Sequence, residues 1–178
     1  MDPAHAYEQP SLIADSADRF GYGRREAAPA QAPSLVWEVP DGWKEVASTA
    51  MRDANLRFGP NDEGECYVTR LGGGGGGLAA NVNRWRKQMG LDETDQAAVE
   101  AMPTKLMFGQ SATYVSLDGN FSGMGSDAKD NYRLLGLILT AGDGALFVKM
   151  TGPKDLVAAN TDHFDTFCQS LSVADAPR

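Results

Sequence analysis

Hydrolytic or metal chemistry needs nucleophiles, bases or ligands at workable spacing, and this chain is sparing with histidine and cysteine. Its histidines are His5 and His163, and its cysteines are Cys66 and Cys168. A thiolate–imidazole pair of Cys66 or Cys168 with His163 would need a third, orienting group and a cleft, and the spacing supplies neither. There is no C-x-x-C, which sets aside zinc, iron–sulfur and attached-haem readings. The two cysteines suit either one disulfide or two buried thiols. In "DHFD", Asp162 and Asp165 lie one and two places from His163, and helical neighbours at those spacings do not share a face. The carboxylates of "SDAKDN" (126–131) depart from the calcium-loop pattern and read as a solvated loop. The expectation is no catalytic residue, no metal, no cofactor and no enzyme.

The other stretch with chemical potential is "LGGGGGGLAANVNRWRKQMG", residues 71–90. Backbone N–H groups at a helix N-terminus can hold an anion, and glycines allow close approach. Gly72, Gly73, Gly74, Gly75, Gly76 and Gly77 meet that description only loosely. A phosphate loop needs Lys and then Ser or Thr after its last glycine, and here Leu78-Ala79-Ala80 follow. Any hexaglycine satisfies G-x-G-x-x-G. Charge is the stronger signal. No acidic residue occurs between Glu65 and Asp92, yet Arg70, Arg84, Arg86 and Lys87 do, in a chain with 24 acids and 16 bases. A plain explanation exists, since cations near a helix C-terminus offset its macrodipole. On the helical wheel Arg84 and Lys87 point away from the apolar stripe and Arg86 borders it. Arg70, the six glycines, Asn81, Arg84, Arg86 and Lys87 are therefore the expected binding surface. Protein docking is the first reading, and a small anion or nucleotide on the glycine loop is the alternative.

The elements that would carry this surface follow from periodicity. The net charge of −8 argues against a general nucleic-acid or anionic-membrane binder. No run reaches 18 apolar residues, and the first thirty lack a signal-peptide core. The expected setting is periplasmic or envelope-associated for a processed chain and cytoplasmic otherwise. Residues 1–33 have linker composition and read as an extended or disordered arm, 34–174 as one domain, and 175–178 as a tail. Strands are expected at 35–39, 51–58, 65–71, 105–108, 111–117, 134–140 and 145–151, with a polar loop over 118–131. "LLGLILT" (134–140) is apolar on both faces, as in a strand covered on each side. Leu78, Val82, Trp85 and Met89 form one stripe of a helix that Gly90 ends. Further helices are expected over Glu93–Met102 and Lys154–Leu171, the second with Leu156, Val157, Phe164, Phe167, Cys168 and Leu171 toward a sheet. Trp43 should cover a sheet end, with its N–H needing a partner there. The order of elements gives an α+β fold with an antiparallel sheet.

Three stretches carry a resemblance: "VPDGW" after the first strand, the glycine run into "NVNRWRKQMG", and "ALFVKMTGPKDLV…FDTFCQSL" at the end. Over residues 35–173 the chain resembles uncharacterised bacterial proteins, often exported or lipid-anchored. Their fold is that of PsbP, the extrinsic photosystem II subunit, which the Ran-release-factor family shares. The resemblance implies an α/β/α sandwich, its antiparallel sheet covered by helices on both faces. It also implies a docking role without catalysis, with a protein partner in a membrane-associated complex and no membrane insertion. Members usually begin with a signal sequence, sometimes ending at a lipidated cysteine, and this chain has no cysteine before Cys66.

Overall fold

The computed structural model describes residues 33–174 apart from 74, 75, 124 and 126. They belong to a unit running Pro33–Arg178. The predicted arm, up to residue 32, and the tail 175–178 lie outside the described residues.

The chain runs β1 (Leu35–Val36), β2 (Lys44–Glu45), β3 (Ala54–Phe58), β4 (Gly64–Leu71), α1 (Gly77–Gln88) and α2 (Gln96–Glu100). It continues β5 (Thr104–Met107), β6 (Gln110–Phe121), β7 (Lys129–Ala141), β8 (Gly144–Pro153), α3 (Lys154–Ala159), α4 (Thr161–Ser170) and β9 (Ser172–Val173). Seven strands form one sheet in the order β2-β3-β4-β8-β7-β6-β5, and β1 pairs with β9. Every pairing is antiparallel.

Alternation along the strands sends side chains into two cores. Leu135, Leu137 and Leu139 of β7 join Leu56, Phe58, Val68 and Val148 beneath α3 and α4, where Val157, Phe164 and Phe167 close the layer. Leu134 and Ile138 point the other way, toward Val82, Trp85 and Met89 of α1 and Val99 of α2. Helices thus cover both faces of an antiparallel sheet, the α/β/α sandwich expected. Burying each large apolar side chain contributes about 1.5–3 kcal/mol, so two cores outweigh what either alone supplies. The indole of Trp85 lies directly on Gly136, where a Cβ would come within 2.1 Å of the ring.

Several boundaries differ from expectation. The loop expected over 118–131 is strand at both ends, because β6 runs to Phe121 and β7 begins at Lys129. Its polar residues pair across the ladder, as Asp118 does with Arg133 at 2.6 Å. The long C-terminal helix is two helices broken at Asn160. The Asn160 side chain donates to Leu156 O and accepts from Trp43 Nε1 at 2.8 Å, which supplies the partner the Trp43 N–H needs. An Asn amide bonded to the preceding turn competes with helix continuation. The "VPDGW" turn is as read: Trp43 N bonds Pro40 O, with Gly42 at φ 76°. Its strand, however, is confined to Leu35–Val36 and lies outside the main sheet.

Candidate functional site: a cationic face beside the first helix

Helix α1 carries the apolar stripe expected of it, with Val82, Trp85 and Met89 buried. Met89 caps the helix, and Gly90 follows at φ 69°. Gly76 is the N-cap, with no side-chain cap bond and no acid in the first turn. Of the glycine run, Gly74 and Gly75 lie outside the described residues. Gly73, Gly76 and Gly77 have positive φ, whereas a Cβ at Gly72, Gly73 or Gly77 would meet nothing within 4 Å. At these three positions the side is open, so close packing is not what calls for glycine.

The sequence-predicted residues divide between two faces. Arg84 and Lys87 are exposed on α1. Arg86 is half-buried, and its Nε donates to Asp92 O at 2.6 Å, tying down the loop after the helix. Asn81 is buried, and its Nδ2 donates to Gly77 O at 2.7 Å, bracing the first turn. Arg70 stands apart. It lies in phase with Cys66 and Val68 on β4 and so faces the α4 side of the sheet. There its Nε donates to Asp53 at 2.8 Å and its Nη1 to Pro33 O at 2.7 Å.

What joins Arg84 instead comes from the strands. Ala54, Leu56 and Phe58 of β3 and Cys66 and Val68 of β4 face the α4 core, which turns Asn55, Arg57, Glu65, Tyr67 and Thr69 to the α1 side. Arg52 donates to Glu65 and to Asn55 Oδ1, and its guanidinium lies 3.8 Å from the centre of the Tyr67 ring. Arg57 reaches the same Glu65 oxygen at 3.2 Å. Lys149 of β8 is the register partner of both Tyr67 and Gly136 and is only 3% exposed. Its Nζ donates to Gln88 Oε1 and lies 5.6–5.9 Å from the ring centres of Tyr67, Trp85 and Phe121.

Electrostatics follow from that placement. Burial pulls the Lys149 ammonium down to about 8; Glu65 partly opposes this, and the positive charges of Arg52 and Arg84 add to it. Burial likewise raises the Tyr67 phenol, against the opposing pull of Arg52. Arg52, Arg57 and Lys149 thus gather near Glu65 and Tyr67 on the α1 side of the sheet, and the charge of Arg84 reaches Lys149. The sequence reading missed Lys149, although a lysine inside "ALFVKMT" is a charge in an otherwise apolar strand and was a usable signal. Arg52, Arg57 and Tyr67 had none, because strand register alone brings them there.

Cys66 and Cys168 are buried free thiols, both raised well above the ordinary thiol range by burial. His163 approaches Asn160 Oδ1 at 3.2 Å and meets the Trp43 ring edge-on, while Asp165 holds Lys105 at 2.6 Å. Among the described residues no group of three or more His, Cys, Asp or Glu gathers as a metal site. Among them, too, no helix is long and apolar enough to cross a membrane.

No family model matches the chain, and no curated protein matches it. Among solved structures, it is similar to a protein of Bacteroides thetaiotaomicron VPI-5482 at 12% identity and a TM-score of 0.49, over 81% of this chain. The match spans 47% of that protein, about half its length. It is also similar to LpqN, described as involved in cell envelope biogenesis of Mycobacterium tuberculosis, at 14% identity and a TM-score of 0.46, covering 84% of this chain and 88% of that one. The solution structure of cyanobacterial PsbP (CyanoP) from Synechocystis sp. PCC 6803 matches at 15% identity and a TM-score of 0.43, covering 82% and 96%. PsbP is also the fold named by the resemblance drawn from "VPDGW" and the element order.

Proposed function

We propose that this chain is a non-catalytic accessory domain that docks an acidic surface of a protein partner through the cationic face beside α1. One observation carries the reading. Arg84 and Lys87 are exposed on α1, and on the sheet face that α1 covers Arg52 and Arg57 meet at Glu65 near Lys149, whose ammonium feels the charge of Arg84. In a chain of net charge −8, such a region attracts an acidic partner while the rest of the surface repels it. Charge complementarity of this kind acts chiefly on association rate and partner choice. The envelope-associated setting rests on the sequence resemblance to exported bacterial proteins.

The test is capture from membrane and soluble fractions of the native host, comparing wild type with the Arg84→Glu/Lys87→Glu double variant. A partner retained by the wild type, lost to the folded variant and released by moderate salt supports the reading. Equal capture by both proteins overturns it. A thermal shift with inorganic phosphate, lost in the same variant while capture is unaffected, would favour a small anion as the ligand.

A further inference from the structure

A cavity of about 440 Å³ opens at the end of the sheet where β4 leaves for the glycine run and the β7–β8 hairpin turns. Leu35, Leu71, Leu139, Leu146 and Val173 form its aliphatic wall, and Phe108 adds a ring. The polar side chains among its lining residues are Arg70 and Gln110. Small-molecule sites combine these traits: a volume of roughly 300–1,000 Å³, mostly apolar walls and a few placed polar groups.

A second observation singles out the same place. Phe108 and Gly109 form the two-residue turn between the paired residues Met107 and Gln110, at φ 53° and 71°. Turns with both central residues at positive φ favour Asn-Gly or Asp-Gly, and a bulky aromatic there is an outlier. Strain of this kind persists where surrounding structure or function holds it. Here the strained backbone sets an aromatic ring on the cavity wall, which Asn could not provide.

Charge narrows the occupant. Nε and Nη2 of Arg70 are held by the Asp53 carboxylate, and Nη1 by Pro33 O. The guanidinium is therefore neutralised in place, and the wall presents neither an unbalanced cation for an anionic head nor a carboxylate for an ammonium. We infer that this cavity binds an aliphatic chain ending in a small uncharged polar group, the chain packed against Phe108 and the leucines and the polar end beside Gln110. The site lies apart from the α1 docking face and does not depend on it.

The full chain would be titrated with 1-octanol, octanoate and octyltrimethylammonium below their aggregation thresholds, using calorimetry and backbone amide shifts. Saturable binding of 1-octanol is expected, with shifts at Leu71, Leu146 and Val173. Affinity for both charged analogues should be about tenfold weaker or more. Two variants test the cavity itself: Ala141→Trp, at an exposed lining position that should fill the cavity without disturbing the core, and Phe108→Asn, which removes the ring but keeps a favoured turn pair. Each should raise Kd for 1-octanol about tenfold or more, with circular dichroism showing the fold retained. The inference is overturned if no probe binds saturably, if both folded variants bind like the wild type, or if a charged head is preferred.

Discussion

Replacing Lys149 by Met should stabilise this protein near neutrality and have little effect at high pH. Burial places the Lys149 ammonium at about 8, against 10.5 for a free lysine. At 1.36 kcal/mol per unit, keeping the buried side chain charged costs about 3 kcal/mol at pH 7. The sign follows from proton counting. Below about pH 8 both states hold the proton, so the penalty is complete and constant. Between about 8 and 10.5 the unfolded chain binds more protons than the folded one, and stability rises with pH until the penalty is gone. Other groups obscure this in the wild type alone. Burial raises Cys66 and Cys168 from 9.0 and Tyr67 and Tyr114 from 10.0, which lowers stability as the unfolded chain ionises. The difference between wild type and Lys149→Met removes those terms. The variant gives up ring contacts with the ammonium, worth about 0.5–2 kcal/mol, but Met packs among Tyr67, Trp85 and Phe121, and half-buried Gln88 can turn to water. The net expectation is a gain of about 2 kcal/mol at pH 7, or a urea midpoint higher by about 1 M for a typical urea slope. At pH 10.5 the gain from relieved charge should fall below about 1 kcal/mol. Urea unfolding of both proteins at the two pH values is the assay. A variant less stable at pH 7, or a difference that does not change with pH, would refute the assignment of Lys149 as a buried, charge-strained group.

Two further outcomes follow from packing. Gly136→Ala drives a methyl group to within 2.1 Å of the Trp85 ring, and overpacking of this kind costs about 1–3 kcal/mol. Thermal melts should show the loss and its partial rescue by Trp85→Leu, whereas a neutral single variant would contradict the contact. Cys66 and Cys168, 0% and 1% exposed with raised thiol pKa values, should resist a small thiol reagent at pH 8 until urea unfolds the chain. Prompt labelling of native protein would contradict their burial.

Elements stabilised by their own periodicity were readable in advance. Leu78, Val82, Trp85 and Met89 share a face of any α-helix, and α1 lies where they place it. "LLGLILT" had to be covered on both sides, and it is. The readings that failed depended on distant partners. The helix break at Asn160 serves Trp43, 117 positions earlier. The strand ends over 118–131 look like loop because Asp118 and Arg133 satisfy each other across the ladder rather than burying apolar surface.

The candidate surface divides in the same way. Sequence alone determined the local facts: an acid-free stretch from Arg70 to Lys87, and a helix presenting Arg84 and Lys87 outward. It could not say that Arg70 belongs to the other face, since that depends on the side of the sheet to which β4 turns its even-numbered residues. Nor could it gather Arg52, Arg57 and Lys149 near Glu65 and Tyr67. Pairing of β4 with β3 and β8 sets that company, and register is chosen by the whole buried face rather than by any one strand. Local periodicity determines which way a side chain points, and only the tertiary packing decides what it points at.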